Sequence, residues 1–122
     1  MGLKKLTKSF VFAGQGISQV FREEQSFRIQ FAAALTALVL MMVFPLGLIE
    51  RLIIIMLCIA VLVLEIINSI FERIVDIYKP RLNPYVRDIK DMMAAAVLIA
   101  SVGALGIGIM IFWPHLSGLW IN

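Results

Sequence analysis

Three apolar runs, each long enough to cross a bilayer, dominate the chain. No charge occurs from Ile29 to Ile49, a run of 21 residues. Leu52 to Phe71 adds 20 residues with Glu65 as the one charge, and Met92 to Trp113 adds 22 without any. A helix rising ~1.5 Å per residue needs about 20 residues to cross a hydrocarbon core of ~30 Å, so the runs predict three transmembrane helices. Only Glu50 and Arg51 separate the first two, which therefore form a helical hairpin. Pro45 and Gly47 lie near its tip, where a kink or an early helix stop is tolerated. Ahead of the first span, Leu3, Leu6, Phe10, Ala13, Ile17 and Val20 or Phe21 recur at three- and four-residue steps, among Lys4, Lys5, Lys8, Gln15, Gln19 and Arg22. That alternation predicts a basic amphipathic helix lying along the membrane surface, and Gly14-Gln15-Gly16 interrupts what would otherwise be a signal-peptide core. The expected architecture is an all-α membrane protein in one domain, 1–122. It has a surface helix over 1–28, spans at 29–49, 52–71 and 92–113, and a cytoplasmic helix extension and loop over 72–91.

Composition narrows the class. The 122 residues are 61% hydrophobic and 16% charged, with a mean hydropathy of +0.98. Soluble domains average about 25% charged, so too little polar surface is available here for an ordinary water-soluble enzyme. A single cysteine, Cys58, excludes a framework of internal disulfides. Lys4, Lys5, Lys8, Arg22 and Arg28 precede the first span, and Arg73, Lys79, Arg81, Arg87 and Lys90 fall between the second and third. The positive-inside rule then puts the N-terminus and the second connection in the cytoplasm and the C-terminus outside. Those flanks account for the net charge of +3, and nothing else supports nucleic acid as a partner.

The chemistry concentrates on the second span. Glu65, Asn68, Glu72 and Asp76 stand at offsets 0, 3, 7 and 11, which at ~100° per residue fall within a sector of about 80° on one helix face. A carboxylate inside a bilayer costs a few kcal/mol and seldom persists without a partner or a task. The plainer reading is that Glu65 and Asn68 form interhelical hydrogen bonds that hold a bundle together. A richer one notes that the polar line runs on into a basic segment. Glu24 and Arg28 flank the entrance of span one, and Lys90-Asp91 precede span three. Glu24 and Glu72 offer the hard oxygen ligands that Mg²⁺ prefers, Lys90 can reach a phosphate, and Glu65 suits a general base. Together these suggest phosphoryl transfer to an alcohol held in lipid. Walker-type and protein-kinase signatures are absent, so any ATP would be held by helix side chains and a short loop.

The run Glu65-Ile66-Ile67-Asn68-Ser69-Ile70-Phe71-Glu72-Arg73-Ile74-Val75-Asp76 resembles the E-x-x-N-[ST]-x-x-E-x-x-x-D signature of the small prokaryotic diacylglycerol kinases. Lys90-Asp91 with Ala94 to Ala100 is similar to their K-D-x-x-x-[AG]-A-V-L segment, and Phe12-Ala13-x-x-Gly16 and Phe21-x-x-Glu24-x-x-Phe27-Arg28 fit their surface-helix pattern. The likeness covers about residues 9–112, and Phe27-Arg28-Ile29-Gln30 is nearer the Gram-positive branch, which includes undecaprenol kinases. It implies an ATP- and Mg²⁺-dependent lipid kinase of the bacterial cytoplasmic (inner) membrane. It also implies a homotrimer whose neighbouring protomers share each active site. Carried over, Glu65 is the base that activates the lipid hydroxyl, with Arg28 beside it toward the lipid substrate, and Glu24 and Glu72 hold the metal. Asn68 joins the catalytic group. Asp76, Lys90 and Asp91 complete the nucleotide site, and the loop Arg81-Leu82-Asn83 falls where the family contacts ATP. Diacylglycerol is the expected acceptor and undecaprenol the alternative. A non-catalytic assembly or ion-conducting subunit, with Glu65 as a proton or cation site, is a more distant one.

Other positions invite simpler readings. Ala96, Ala100, Ala104 and Gly108 suit close helix packing. Ser69 and Ser101 are expected to bond their own helix carbonyls, Arg73 to be solvated or lipid-facing, and His115 to be hydrated beside the aromatic anchors Trp113 and Trp120.

Overall fold

The computed structural model describes residues 2–78 and 84–121, with side chains described as far as Gly118 at the C-terminal end. The described residues form four helices: α1 (Gly2–Glu23), α2 (Gln25–Val43), α3 (Leu48–Ile77) and α4 (Pro84–Ile121). Of these α2, α3 and α4 are long and apolar enough to cross a membrane. The expected loop contacts Arg81, Leu82 and Asn83 lie outside the described residues.

The break between α1 and α2 is one residue wide. Glu24 is extended, at φ −112° and ψ 108°, yet its amide still donates to the Val20 carbonyl at 2.8 Å while its own carbonyl accepts from Arg28 N at 3.3 Å. One residue thus ends one helix and starts the next. The expected boundary after Arg28 moves four residues upstream, because charge marks where the bilayer begins and not where a helix does. Arg28, one turn into α2, donates from Nη1 to the carbonyls of Phe21 and Arg22, both at 2.9 Å. Those carbonyls belong to the unsatisfied last turn of α1, so the guanidinium works as a C-terminal cap. Phe21, Phe27 and Phe31 fill the corner, with ring centroids 5.6–6.4 Å apart.

At the other end of α2 the helix stops at Val43, earlier than the apolar run does. Phe44 is extended at ψ 148° because the residue before Pro45 is pushed out of the helical region. Gly47 opens α3, and Glu50 Oε1 accepts from its amide at 3.1 Å while Arg51 Nε donates to the Leu46 carbonyl at 3.2 Å. This tight turn packs Leu46 against Ile54 and Phe112, with Phe44, Cys58 and Ile111 around them. His115 is drawn in here: its ring centroid lies 6.0 Å from that of Phe44 and its Nε2 is 3.9 Å from Glu50 Oε2, so it is a packed residue and not a merely hydrated one.

Helix α3 has 30 residues and runs unbroken through the acidic line. At ~1.5 Å per residue its length is about 45 Å, more than a ~30 Å core needs. Helix α4, 38 residues, starts with Pro84 in the first turn, where a missing amide costs nothing, and packs along α3. Between α2, α3 and α4 lies an apolar groove of about 790 Å³, walled by small residues that include Ala33, Ala37, Ala104 and Gly108.

Candidate functional site

The helical spacing of the acidic line is realised on α3, and burial grades along it. Glu65 is 2% exposed and Ser69 3%, Asn68 and Glu72 are half-buried, and Asp76 is exposed. A continuous helix leaving the protein interior produces that gradient. It sets an acid in an apolar environment about two and three turns from carboxylates that water can reach.

Helices α2 and α4 contribute contacts to this line, and α1 contacts α3 beside it. From the first turn of α2, Ser26 Oγ donates to the Glu65 carboxylate and lies 2.9 Å from both Oε1 and Oε2. Along α3 itself, Asn68 Nδ2 donates to Glu72 Oε1 at 3.3 Å. From α4, Lys90 Nζ lies 3.9 Å from Asp76 Oδ1. From α1, Glu23 pairs with Arg73, and the Arg73 guanidinium holds the Glu23 carboxyl below its ordinary value. Both Glu23 and Arg73 are exposed, so the pair contributes little energy, but it ties the surface helix to the end of α3. Arg73 is therefore a tether to α1 as well as a solvated residue.

The single chain brings Glu65, Asn68, Glu72, Asp76 and Lys90 together along α3 and its contact with α4. Glu24 sits half-buried at the α1–α2 corner with no side-chain cap bond, Arg28 is engaged with α1 carbonyls, and Asp91 is exposed. Among the described residues no three His, Cys, Asp or Glu side chains converge as a metal cage. Glu24 and Glu72 are carboxylates of the chemistry that Mg²⁺ takes as ligands. That ion is commonly held by one or two carboxylates with waters and substrate phosphates completing its octahedron.

Three participants escaped the sequence reading. Ser26 and Glu23 carry no signal, since a serine or glutamate at a helix corner is ordinary and their partners lie about 40 and 50 positions away. The third left a trace. Gln30 Nε2 donates to Ser101 Oγ at 2.7 Å, so Ser101 bonds across to α2 instead of serving only its own helix. Gln30 is the one amide in the first apolar run, and Ser101 is the one hydroxyl in the third. Polar groups within a bilayer seek partners, and that rule could have paired them.

Fold and site together define a small all-helical, multi-pass membrane protein whose buried glutamate stands in line with a carboxylate and lysine cluster at one end of the bundle. A model of the family described as prokaryotic diacylglycerol kinase matches residues 11–112. Over 114 residues the chain is 36% identical to an undecaprenol kinase of Bacillus subtilis (strain 168), covering 93% of each. It is 29% identical to a diacylglycerol kinase of Escherichia coli (strain K12) over 114 residues, again 93% of each. A diacylglycerol kinase of Helicobacter pylori (strain J99) is 29% identical over 120 residues, 98% of this chain and 87% of that one. The chain belongs to the prokaryotic diacylglycerol kinase family. It is a phosphotransferase with an alcohol acceptor, and the family implies ATP as co-substrate.

Proposed function

We propose that the protein transfers the γ-phosphate of ATP to the hydroxyl of a membrane lipid at the cytoplasmic face of the bacterial inner membrane. The observation that carries this reading is the buried Glu65 carboxylate, aligned on one helix with Asn68, Glu72 and Asp76 and approached by Lys90. The lipid oxygen attacks the γ-phosphorus, the bond from that phosphorus to the β–γ bridging oxygen breaks, ADP leaves, and the hydroxyl proton passes to Glu65. One hydrogen bond from Ser26 leaves lone pairs on the carboxylate for the incoming hydroxyl. Asn68 orients Glu72 and shares the catalytic cluster. Lys90 offers its charge to phosphate, with Asp76 and Asp91 as nucleotide-site residues, and Arg81, Leu82 and Asn83 are assigned to the same nucleotide site by family resemblance. Glu24 and Glu72 would hold Mg²⁺, which when bound neutralises charge on the phosphates. Arg28 stays at the lipid entrance, as the cap that holds the corner.

In this reading α1 lies on the membrane as an amphipathic helix. Leu3, Leu6, Phe10 and Ile17, each exposed in the single chain, then enter the headgroup region. Copies of the chain assemble as a homotrimer that shares its sites across protomer boundaries. Diacylglycerol, giving phosphatidic acid, is the acceptor named in the family's description. Undecaprenol is a second reading, favoured by the higher identity to an undecaprenol kinase than to the diacylglycerol kinases. Purified protein in detergent micelles, given labelled ATP and each lipid separately, should label one or both alcohols. General-base catalysis contributes about 10²–10⁴-fold, so Glu65→Gln should lower transfer by that order while the assembled size in detergent stays unchanged. A folded Glu65→Gln protein with full activity would remove Glu65 from the role.

A further inference from the structure

We propose that Ser26 is a positioning residue for Glu65. Its hydroxyl fixes the orientation in which the carboxylate meets the lipid alcohol. The inference rests on the reading of Glu65 as the base.

A glutamate side chain has three rotatable bonds, and burial alone does not choose among its rotamers. The choice here is made from another helix. Ser26 is the second residue of α2, and its Oγ is equidistant, at 2.9 Å, from the two carboxylate oxygens. Such a bifurcated contact sets the plane of the carboxylate without consuming either oxygen. The donor is itself held. Its neighbour Phe27 is 3% exposed and packed against Phe21 and Phe31. Arg28, two residues on, is bonded to two α1 carbonyls. Glu23, three residues back, is paired with Arg73, eight positions beyond Glu65 on α3. The corner between α1 and α2 therefore grips α3 at two points, roughly 12 Å apart along its axis, and Ser26 is the grip that ends on the reactive group. A tether serving only to pack α2 on α3 would have no need to end on the one deeply buried carboxylate, since Val61 and Ser69 are buried on the same helix.

Displacements of about 1 Å in a catalytic group cost up to about 10²-fold in rate, so removing one restraint of several should cost on the order of tenfold. The test uses the purified full-length protein in micelles with labelled ATP and the lipid alcohol it accepts. Ser26→Ala should lower kcat about tenfold, with KM for ATP and for lipid unchanged within about twofold, because ground-state binding is untouched. Ser26→Thr, which keeps the hydroxyl, should recover kcat to within about threefold of the parent. In a Glu65→Gln background the same Ser26→Ala change should have no further effect, since residues acting as a unit are non-additive. Elution volume and thermal midpoint in detergent report folding separately for every variant. Unchanged kcat in folded Ser26→Ala, a loss confined to KM, or an equal loss in the Glu65→Gln background would each overturn the proposal. If Glu65→Gln is inactive while Ser26→Ala is fully active, only the Ser26 role falls; if Glu65→Gln is active, the base reading falls with it.

Discussion

Arg73 and Glu23 make the electrostatics of the α1–α3 contact measurable. Glu23 is exposed, and its carboxyl is lowered first by the hydrogen bond from Arg73 and then by its charge. A carboxylate depressed in the folded chain contributes most above its ordinary range, and that contribution is lost as pH falls through the lowered value. Attachment of α1 to α3 should therefore weaken only in acid. Arg73→Gln should move the Glu23 titration midpoint upward toward that of an unpaired glutamate, as read by carboxylate-selective NMR in micelles. An unmoved midpoint would mean that the pair does not persist in solution. The residues that matter divide by how their partners are specified. Glu65, Asn68, Glu72 and Asp76 were legible because a shared face at offsets 0, 3, 7 and 11 is a property of one helix. Ser26 and Glu23 were not, because a contact between helices depends on their rotation about each other, which the periodicity of neither one contains.

Helices were legible in kind and less so in extent. Apolar length announced α2, α3 and α4, yet each boundary obeys a local rule that length ignores. Pro45 ends α2 before its apolar run is exhausted, and Glu24 turns the chain four residues before the last basic residue. Helix α3 continues past Phe71 because nothing in Glu72 to Ile77 breaks a helix. Helices α2 and α4 face each other across a mostly apolar groove that is crossed by one polar bond, Gln30 to Ser101. Interhelical hydrogen bonds measured within membranes average about 0.6 kcal/mol, because the separated helices also find partners. A double-mutant cycle of Gln30→Leu and Ser101→Ala should therefore give a coupling of that size in reversible unfolding in mixed micelles. Zero coupling would reduce the bond to an incidental contact, and several kcal/mol would make it a principal clamp. Activity need not follow stability in this cycle, since the bond lies apart from the acidic line.

Most of the apolar surface of the single chain faces outward. Ile29, Val39, Met42, Ile59, Leu98, Leu105 and Met110 are all exposed, and only a few residues such as Ile54, Val61 and Phe112 are buried between the spans. Lipid, and in the proposed trimer neighbouring copies, would cover the remainder, so the orientation of the bundle decides whether the site can be supplied. ATP is available on the cytoplasmic side alone. Helices α3 and α4 place Asp76 and Lys90 at the end of the bundle opposite the Gly47 turn, and Arg73 lies at that same end. With three crossings, Lys8 and Ser117 should then lie on opposite sides of the membrane, Lys8 with the ATP. Cys58 is half-buried in α3 and can first be replaced by alanine to leave a thiol-free chain. Lys8→Cys in that background should resist a membrane-impermeant maleimide added to intact cells and react only after permeabilisation, while Ser117→Cys should react at once. The reverse pattern would set the carboxylate line and Lys90 on the side without nucleotide. An ATP-dependent kinase could not work from there, and the acidic line would need another explanation.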